Sequence, residues 1–403
     1  MNEARLRSLL REAPIPVSED SERRGLEVLE AALAEREPRR APVTSPRRLA
    51  LALAVAALLG ALLLSPAGAA VRDWVDDVLT TAPRPGPGLA KIPGGGRLLV
   101  QSRSGPWVVQ ADGSRRLLGN FEEATWSPRG LYVAAASGRT LTALKPDGTP
   151  RWSLSAAAPV SDPRWSPSGY RIAYRSGGGL RVTDANGTRD RLIDPAIAPV
   201  APAWSPLGLS QLAYVGADGS LRFADGESRR MIERARALPG IKRLEWAGET
   251  LLEASATALQ LRSISVSKLA QGIEVGPPRG LPLPAGATVR DATLSPDGEK
   301  VASVLGVRGR LGPRGLVVVF DDGGGGRRLF NAPGRLSEVA WAPHGGRLLI
   351  AWPSTDQWLF LPTGRGEGRS VSEVSAAFAP GARVASFPRI EGWCCSGWIG
   401  QRG

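Results

Sequence analysis

The chain has 403 residues, of which 42% are hydrophobic and 22% charged, a composition typical of globular proteins and unlike that of disordered chains. Its formal net charge is +13, but the basic residues are scattered and no Arg or Lys cluster is interleaved with aromatic residues, which argues against nucleic-acid binding. The positive excess indicates a solvated basic surface, or attraction to anionic envelope polymers or lipid headgroups. The two cysteines are adjacent, so they cannot cross-link a fold of this size.

Residues 1–48 are predicted to form a small cytoplasmic helical segment. Two stretches, 6–10 and 26–33, place leucines on one helical face, and Pro14 and Pro16 separate them. Neither helix can bury its apolar stripe alone. We therefore expect each to bind the other, the membrane surface or a cytoplasmic protein partner.

The uncharged stretch 49–71 predicts a transmembrane helix. As a helix it spans about 35 Å, which is enough for a hydrocarbon core of about 30 Å. Four arginines precede it, at 39, 40, 47 and 48, so the positive-inside rule places the N-terminus in the cytoplasm and the C-terminal bulk outside. A cleaved signal peptide is the alternative, since small residues at 67–69 suit a signal peptidase.

Residues 72–96 are predicted to connect the membrane helix to the rest of the chain. An amphipathic stripe at 71–79 predicts a short juxtamembrane helix, and its Trp74 suits a membrane interface. The Pro- and Gly-rich stretch 81–96 is typical of a linker.

From residue 97 onward the chain repeats a unit marked by Trp-Ser-Pro-x-Gly and a following apolar strand, with successive copies 37 to 48 residues apart. The clear copies are Trp126-Ser127-Pro128, Trp165-Ser166-Pro167 and Trp204-Ser205-Pro206, and the diverged copies are those of Trp246, of Leu294 with Ser295-Pro296-Asp297-Gly298, of Trp341 with Pro343, and of Phe378 with Pro380. A period of this length, with strands and turns between the motifs, indicates the four-stranded blades of a β-propeller.

The unit of Trp165 shows how a blade is expected to form. The Trp ends an inner strand and packs between neighbouring blades, and the Pro and Gly after it set a tight turn. A second strand is predicted at 171–174, a third at 180–184, a hairpin turn at Asn186-Gly187 and an Arg-rich edge strand at 188–192. The charges of that last strand protect an exposed sheet edge from aggregation.

The two ends of the repeat region are predicted to share one blade. Residues 97–118 have the pattern of second, third and fourth strands without a first, and the Phe378 unit is a first strand that lacks its successors. Counting first strands predicts an all-β, seven-bladed propeller over 97–403. Because the Trp246 unit is weak, a six-bladed ring is the alternative.

The repeat resembles the TolB-type and WD-like propeller repeats of bacterial envelope proteins, whose Ser-Pro-Asp-Gly turn is present in full at Ser295–Gly298. This resemblance covers about 280 residues and implies the fold rather than an activity. The order of a cytoplasmic segment, one membrane helix and an exported domain also resembles the layout of membrane-bound anti-sigma factors. The sequence lacks the His/Cys zinc motif that many of those proteins carry.

The sequence offers no catalytic, cofactor or metal site. Its single histidine, His344, lies in a predicted turn, and Gly323–Gly326 is a predicted hairpin loop rather than a phosphate cradle. The Asp-Gly pairs lack the spacing of a calcium loop. For Cys394 and Cys395 we favour two unpaired thiols, with a vicinal disulfide as the alternative.

Three functions are compatible with these patterns. The first is a non-enzymatic, membrane-anchored propeller that serves as an extracytoplasmic interaction or sensing module and regulates a cytoplasmic partner, such as a sigma factor, through residues 1–48. The second is a TolB-like envelope scaffold without signalling, bound to protein partners in the envelope. The third is a small-ligand binder or enzyme that uses the propeller channel, and it is the least favoured because no acidic, histidine or metal cluster stands out.

Overall fold

The computed structural model describes residues 84–86, 91–206, 210–228, 230–267, 272–310, 312–321, 323–379 and 386–395. These residues belong to a compact unit that spans Val75–Gly403. The predicted cytoplasmic segment 1–48, membrane helix 49–71 and juxtamembrane stripe 71–79 lie outside the described residues. Within the described ranges, no helix combines the length and apolar character needed to cross a membrane.

The described strands form seven sheets, each with a core of four antiparallel strands, and these are the blades of a propeller. An edge strand, β1 (Arg84–Gly86), precedes them. Blade 1 has β2 (Arg97–Ser102), β3 (Gly105–Val109) and β4 (Arg115–Leu117). Blade 2 has β5 (Glu123–Trp126), β6 (Val133–Ser137), β7 (Thr140–Leu144) and β8 (Pro150–Ser155). Blade 3 has β9 (Val160–Trp165), β10 (Arg171–Ser176), β11 (Gly179–Asp184) and β12 (Arg191–Asp194).

The second half of the ring follows the same order. Blade 4 has β13 (Ala203–Trp204), β14 (Gln211–Val215), β15 (Ser220–Asp225) and β16 (Met231–Arg236). Blade 5 has β17 (Ile241–Ala247), β18 (Thr250–Ser255), β19 (Leu259–Ser267) and β20 (Gly272–Val275), with β21 (Arg279–Gly280) also paired to β19. Blade 6 has β22 (Thr288–Leu294), β23 (Val301–Gly309), β24 (Gly312–Phe320) and β25 (Gly326–Pro333). Blade 7 has β26 (Val339–Trp341), β27 (Arg347–Trp352), a 3-10 turn (Pro353–Thr355), β28 (Gln357–Pro362) and β29 (Arg369–Ser372); a short helix, α1 (Val374–Ala377), and β30 (Arg389–Cys394) follow.

The Ser-Pro-x-Gly motif forms the turn between the first and second strands of a blade. In blades 2, 3 and 6 the serine hydroxyl of the motif accepts the backbone N–H of the residue five positions later, which begins or precedes the second strand. These bonds join Tyr132 N to Ser127 Oγ (3.0 Å), Arg171 N to Ser166 Oγ (3.1 Å) and Lys300 N to Ser295 Oγ (2.9 Å). At Gly298 the backbone has a φ of +79°, and a Cβ there would lie 2.2 Å from the carbonyl oxygen of Ala247, so this turn requires glycine.

The motif Trp residues join neighbouring blades, as predicted. Trp204 Nε1 donates to the Arg164 carbonyl of blade 3 at 2.9 Å, and Trp341 Nε1 donates to the Thr293 carbonyl of blade 6 at 3.2 Å. Both indoles are buried in apolar clusters shared with the preceding blade. The clusters between blades therefore form the core of the ring, because each sheet buries its faces against its neighbours.

The chain ends close the ring, but with a different strand from the predicted one. β30 pairs with β2 in blade 1, with Trp393 opposite Leu98, the register that each motif Trp has with its second strand. The prediction that Phe378 belongs to a first strand was wrong. Phe378 follows α1 and is buried beside the rings of Trp358 and Trp107, at centroid distances of 5.3 and 5.8 Å.

The weak Trp246 unit is a complete blade, so the count of seven is confirmed and the six-bladed alternative is wrong. Two boundaries differ from the prediction. In the expected linker 81–96, β1 adds in parallel to the outer edge of blade 7, beside β29, and Ile92 is fully buried. The edge strand of blade 3 begins at Arg191, because residues before it continue the turn.

Candidate functional site

The first strands of six blades converge on one cavity of about 540 Å³, which is the central channel. Blade 2 contributes Thr125, blade 3 Asp162 and Arg164, blade 4 Ala203, blade 5 Lys242, Arg243 and Glu245, blade 6 Arg290 and Asp291, and the closing strand Glu391. The channel wall is therefore charged, in contrast to the apolar contacts between blades.

The charges recur at a fixed position of the repeat, three residues before the motif's first residue. In five blades this position holds Glu123, Asp162, Arg243, Asp291 and Glu338. These residues are not part of the Trp-Ser-Pro-x-Gly motif, although their spacing relative to its first residue is regular. A charged residue three positions before the motif is the sequence pattern that predicts the charged channel wall, and it lies in the first strand rather than in the turn.

Three of these carboxylates bind the backbone of the next blade. A Glu123 oxygen accepts the N–H of Asp162 at 2.5 Å. Asp291 accepts the N–H of Val339 and Glu338 accepts the N–H of Ile390, both at 3.0 Å. Each bond joins a backbone donor of one inner strand to a carboxylate of the preceding blade, so the carboxylates connect successive blades.

Ion pairs complete the network. Asp162 pairs with Arg175 at 2.5 Å, Glu391 pairs with Arg389 at 3.1 Å, and Arg243 reaches both Asp291 (2.8 Å) and Glu245 (3.4 Å). The side chain of Arg243 keeps 43% of its surface exposed, onto the channel. Burial alone would lower the pKa of Arg243, but the carboxylates of Asp291 and Glu245 outweigh it and raise that pKa.

Burial also shifts the pKa values of acids on the inner strands, two of which line the cavity. It raises the pKa of Glu338 to about 7, and the charges of Asp291 and Glu391 act in the same direction, against the hydrogen bond from Ile390. Burial raises the pKa of Glu391 and of Glu245 as well, partly offset by their arginine neighbours. These three raised pKa values make the charge of Glu245, Glu338 and Glu391 sensitive to proton concentration.

A second polar feature lies within blade 3 and at its contact with blade 4, and it is structural. Tyr174 donates to Asp190 at 2.7 Å and Arg181 donates to the same carboxylate at 2.9 Å. Tyr214 and Arg222 of blade 4 donate to Asp194 of blade 3 at 3.0 and 2.6 Å, so this cluster joins the two blades. Burial raises the pKa of both tyrosines, so their hydroxyls stay protonated donors.

A basic groove of about 680 Å³ lies between blades 1 and 2, on the face that carries the Ser-Pro-x-Gly turns. We call it the basic groove and define it by Arg115, Arg116, Leu131, Tyr132 and Lys145. Leu131, the residue after the motif glycine, is 59% exposed. The groove thus combines cations with an uncovered apolar side chain.

The residues singled out in the sequence do not gather into a site. The motif residues lie at separate turns and blade contacts around the ring. His344 is exposed on a turn of blade 7, and Gly323–Gly326 belongs to the hairpin between β24 and β25. Among the described residues, no three His, Cys, Asp or Glu side chains are grouped so that they could hold a metal ion.

Cys394 and Cys395 take the positions of the motif's Ser and Pro, after Trp393. The structure joins the two sulfurs in a disulfide, the alternative to the unpaired thiols that we favoured. Cys395 Sγ lies 3.8 Å from the carbonyl oxygen of Pro128, on the turn of the neighbouring blade. The redox state of the pair in the cell stays a prediction.

No protein-family model matches the chain, and no curated protein matches it in sequence. Among solved structures, the β-propeller domain of Myceliophteria thermophila Cps50 (Swd1) is similar at a TM-score of 0.55 and 15% identity, covering 69% of this chain and 99% of that domain. The mitotic checkpoint complex contains a chain with a TM-score of 0.49 and 17% identity, covering 71% of this chain and 93% of that one. Kuenenia stuttgartiensis hydrazine synthase gives a TM-score of 0.45 at 15% identity, covering 59% of this chain and 75% of that one.

The chain folds as a WD40-like β-propeller. The likeness to the Swd1 domain and the seven-bladed ring carry this statement. At such low identities the similarity is one of fold and brings no activity or partner to this chain. The TolB-type likeness and the anti-sigma layout stay predictions.

Proposed function

We propose that this chain is a non-enzymatic, membrane-anchored scaffold whose propeller binds a protein partner outside the cytoplasm. A propeller is a rigid ring that presents loops on two faces, which suits it to protein interaction. The observation that carries the proposal is the basic groove, because it is a concave surface with unmatched charge and an exposed apolar side chain.

The groove selects a class of partner. Three cations, Arg115, Arg116 and Lys145, line it together with one acid, Asp147. Asp147 accepts the backbone N–H of Thr149 in its own turn, so its charge is partly committed there. An acidic peptide segment with one large apolar residue would match the cations and cover Leu131.

The tether and its direction come from the sequence. The uncharged stretch 49–71 and the arginines before it predict that residues 1–48 lie in the cytoplasm and the propeller outside. We propose that the apolar stripes of 1–48 bind a cytoplasmic protein such as a sigma factor, so that occupancy of the propeller is reported inside the cell. A TolB-like scaffold without signalling would keep its function after deletion of residues 1–40, and the signalling protein would lose it.

The groove is tested with a fluorescent acidic peptide that carries a single leucine, added to the purified full chain. Reversing the charge in R115E/R116E is expected to weaken binding by about tenfold or more, since each removed contact is a charge-assisted hydrogen bond. The control R308E/R310E makes the same charge change at exposed positions of blade 6 and should bind as the unaltered protein does. Equal weakening by both variants would mean that net charge, not the groove, attracts the peptide.

A further inference from the structure

The central channel has a notch at blade 4. At the position where blades 3 and 5 place Asp162 and Arg243, blade 4 has Ala201, and Pro202 and Ala203 follow it. All three line the channel cavity. These side chains are short and uncharged, and the volume of the cavity, about 540 Å³, is large enough for a small organic molecule.

Four cations and four carboxylates line the cavity, but the carboxylates pair with other arginines than most of these cations. The four carboxylates of the cavity are already engaged: Asp162 by Arg175, Asp291 and Glu245 by Arg243, and Glu391 by Arg389. Arg164, Lys242 and Arg290 also line the cavity, and within the described ranges none of them forms an ion pair with a carboxylate.

These three cations are available to a ligand. Arg164 donates to the carbonyl of Pro163, the residue before it, at 2.9 Å, and its charge faces Glu391 without ion-pair contact. Lys242 and Arg290 are exposed. They extend from the first strands of blades 5 and 6, and Arg164 extends from blade 3, so the cations approach the notch from different sides.

We infer that the channel is a binding site for a small organic polyanion, a di- or tricarboxylate or a phosphate ester, held by Arg164, Lys242 and Arg290. Three separate cations match a ligand with two or more anionic groups better than a monoanion. Arginine favours carboxylate and phosphate because its planar donors bind two oxygens at once. Arg243 already pairs with Asp291 and Glu245, so it is not counted among the cations that hold the ligand. This inference does not depend on the proposed function, because the basic groove lies elsewhere on the ring.

The site has a built-in reporter, since Trp165, Trp204 and Trp246 line the same cavity. The full chain, in a non-ionic detergent, is titrated with citrate, a hexose bisphosphate and uncharged hexose while tryptophan fluorescence is recorded, and calorimetry gives the affinities. We expect saturable binding of citrate or the bisphosphate and none of the hexose. Which of the two binds more tightly distinguishes a carboxylate ligand from a phosphate ligand.

Variants then locate the site. R164Q/R290Q is expected to weaken binding about tenfold or more for each charge removed, and R103Q/R129Q, which removes two exposed arginines outside the cavity, should leave it unchanged. Thermal melting checks that each variant is folded. If R164Q/R290Q is unfolded, K242Q decides alone, because Lys242 is exposed and its loss disturbs no packing. Absence of saturable binding of either anion, or an equal loss in the two double variants, would overturn the inference.

Discussion

Glu338 stands where blade 7 meets the closing strand, and its protonation is coupled to folding. Its carboxyl accepts the N–H of Ile390, and burial raises its pKa to about 7 from an ordinary value of 4.5. A carboxyl whose pKa is higher in the folded state than in the unfolded state contributes its full stabilisation at pH values below the unfolded-state pKa. That stabilisation is lost as the pH rises through about 7.

We therefore predict that E338Q is more stable than the unaltered protein at pH 8, and that the difference disappears near pH 5. Glutamine cannot ionise, yet its carbonyl oxygen still accepts the N–H of Ile390. Urea unfolding at both pH values measures the effect. E299Q is the control, because Glu299 is exposed on a turn and should change stability little at either pH. A stability loss for E338Q that is equal at the two pH values would contradict the assignment.

At the scale of single residues, the backbone conformation was easier to predict from the sequence than the electrostatic environment of a side chain. The glycine of Ser295–Gly298 was recognisable because its turn type requires a positive φ, a local property. The channel acids were not recognised, because their environment depends on strands from different blades. Asp291 and Val339, for example, are 48 positions apart in the chain and meet only in the folded ring.

Among the elements, β30 carries the closure of the ring, and Trp393 is its main contact. The indole is 8% exposed, packs edge-on to Phe360 at 5.6 Å and donates to the Gly95 carbonyl at 2.9 Å. Replacing it by alanine removes a large buried side chain and leaves that carbonyl without its partner.

We predict that W393A lowers the free energy of unfolding by about 3–5 kcal/mol, the usual cost of a buried aromatic truncation. Chemical denaturation monitored by circular dichroism measures it. L131A is the control, because Leu131 is largely exposed and its truncation should cost little. A W393A variant as stable as L131A would show that the C-terminal strand is dispensable.

The error in placing this strand has a chemical cause. In the last repeat Cys394 and Cys395 replace the Ser and Pro that marked the other units, whereas Phe378 is followed by an Ala-Pro-Gly that imitates the motif. The motif therefore predicted the closing strand at Phe378 instead of at Trp393. The strand order, with Trp393 opposite Leu98, restores the repeat. The sequence did not predict β1, because Pro and Gly are rare in strands. The strand forms nevertheless, because it pairs at the outer edge of blade 7, where a missing backbone N–H is tolerated.

For the whole molecule, the repeat predicted the architecture because each unit buries its apolar faces only against neighbouring units, so the period and the count determine the ring. Sharing one blade between both chain ends was also predictable, since an open ring would leave two sheet faces uncovered. The basic groove was not, because its residues come from turns of two blades whose mutual position the repeat does not specify. The tether and the cytoplasmic partner stay predictions about residues outside the described ranges.

The central claim, a seven-bladed ring closed by the chain's last strand, is tested most directly by hydrogen–deuterium exchange of the full chain, followed by mass spectrometry. Amides of β30 that pair with β2 should exchange as slowly as those of β2 itself, because both strands belong to one sheet and open together. Fast exchange of peptides covering 389–395, while the amides of β2 and β3 stay protected, would contradict the closure.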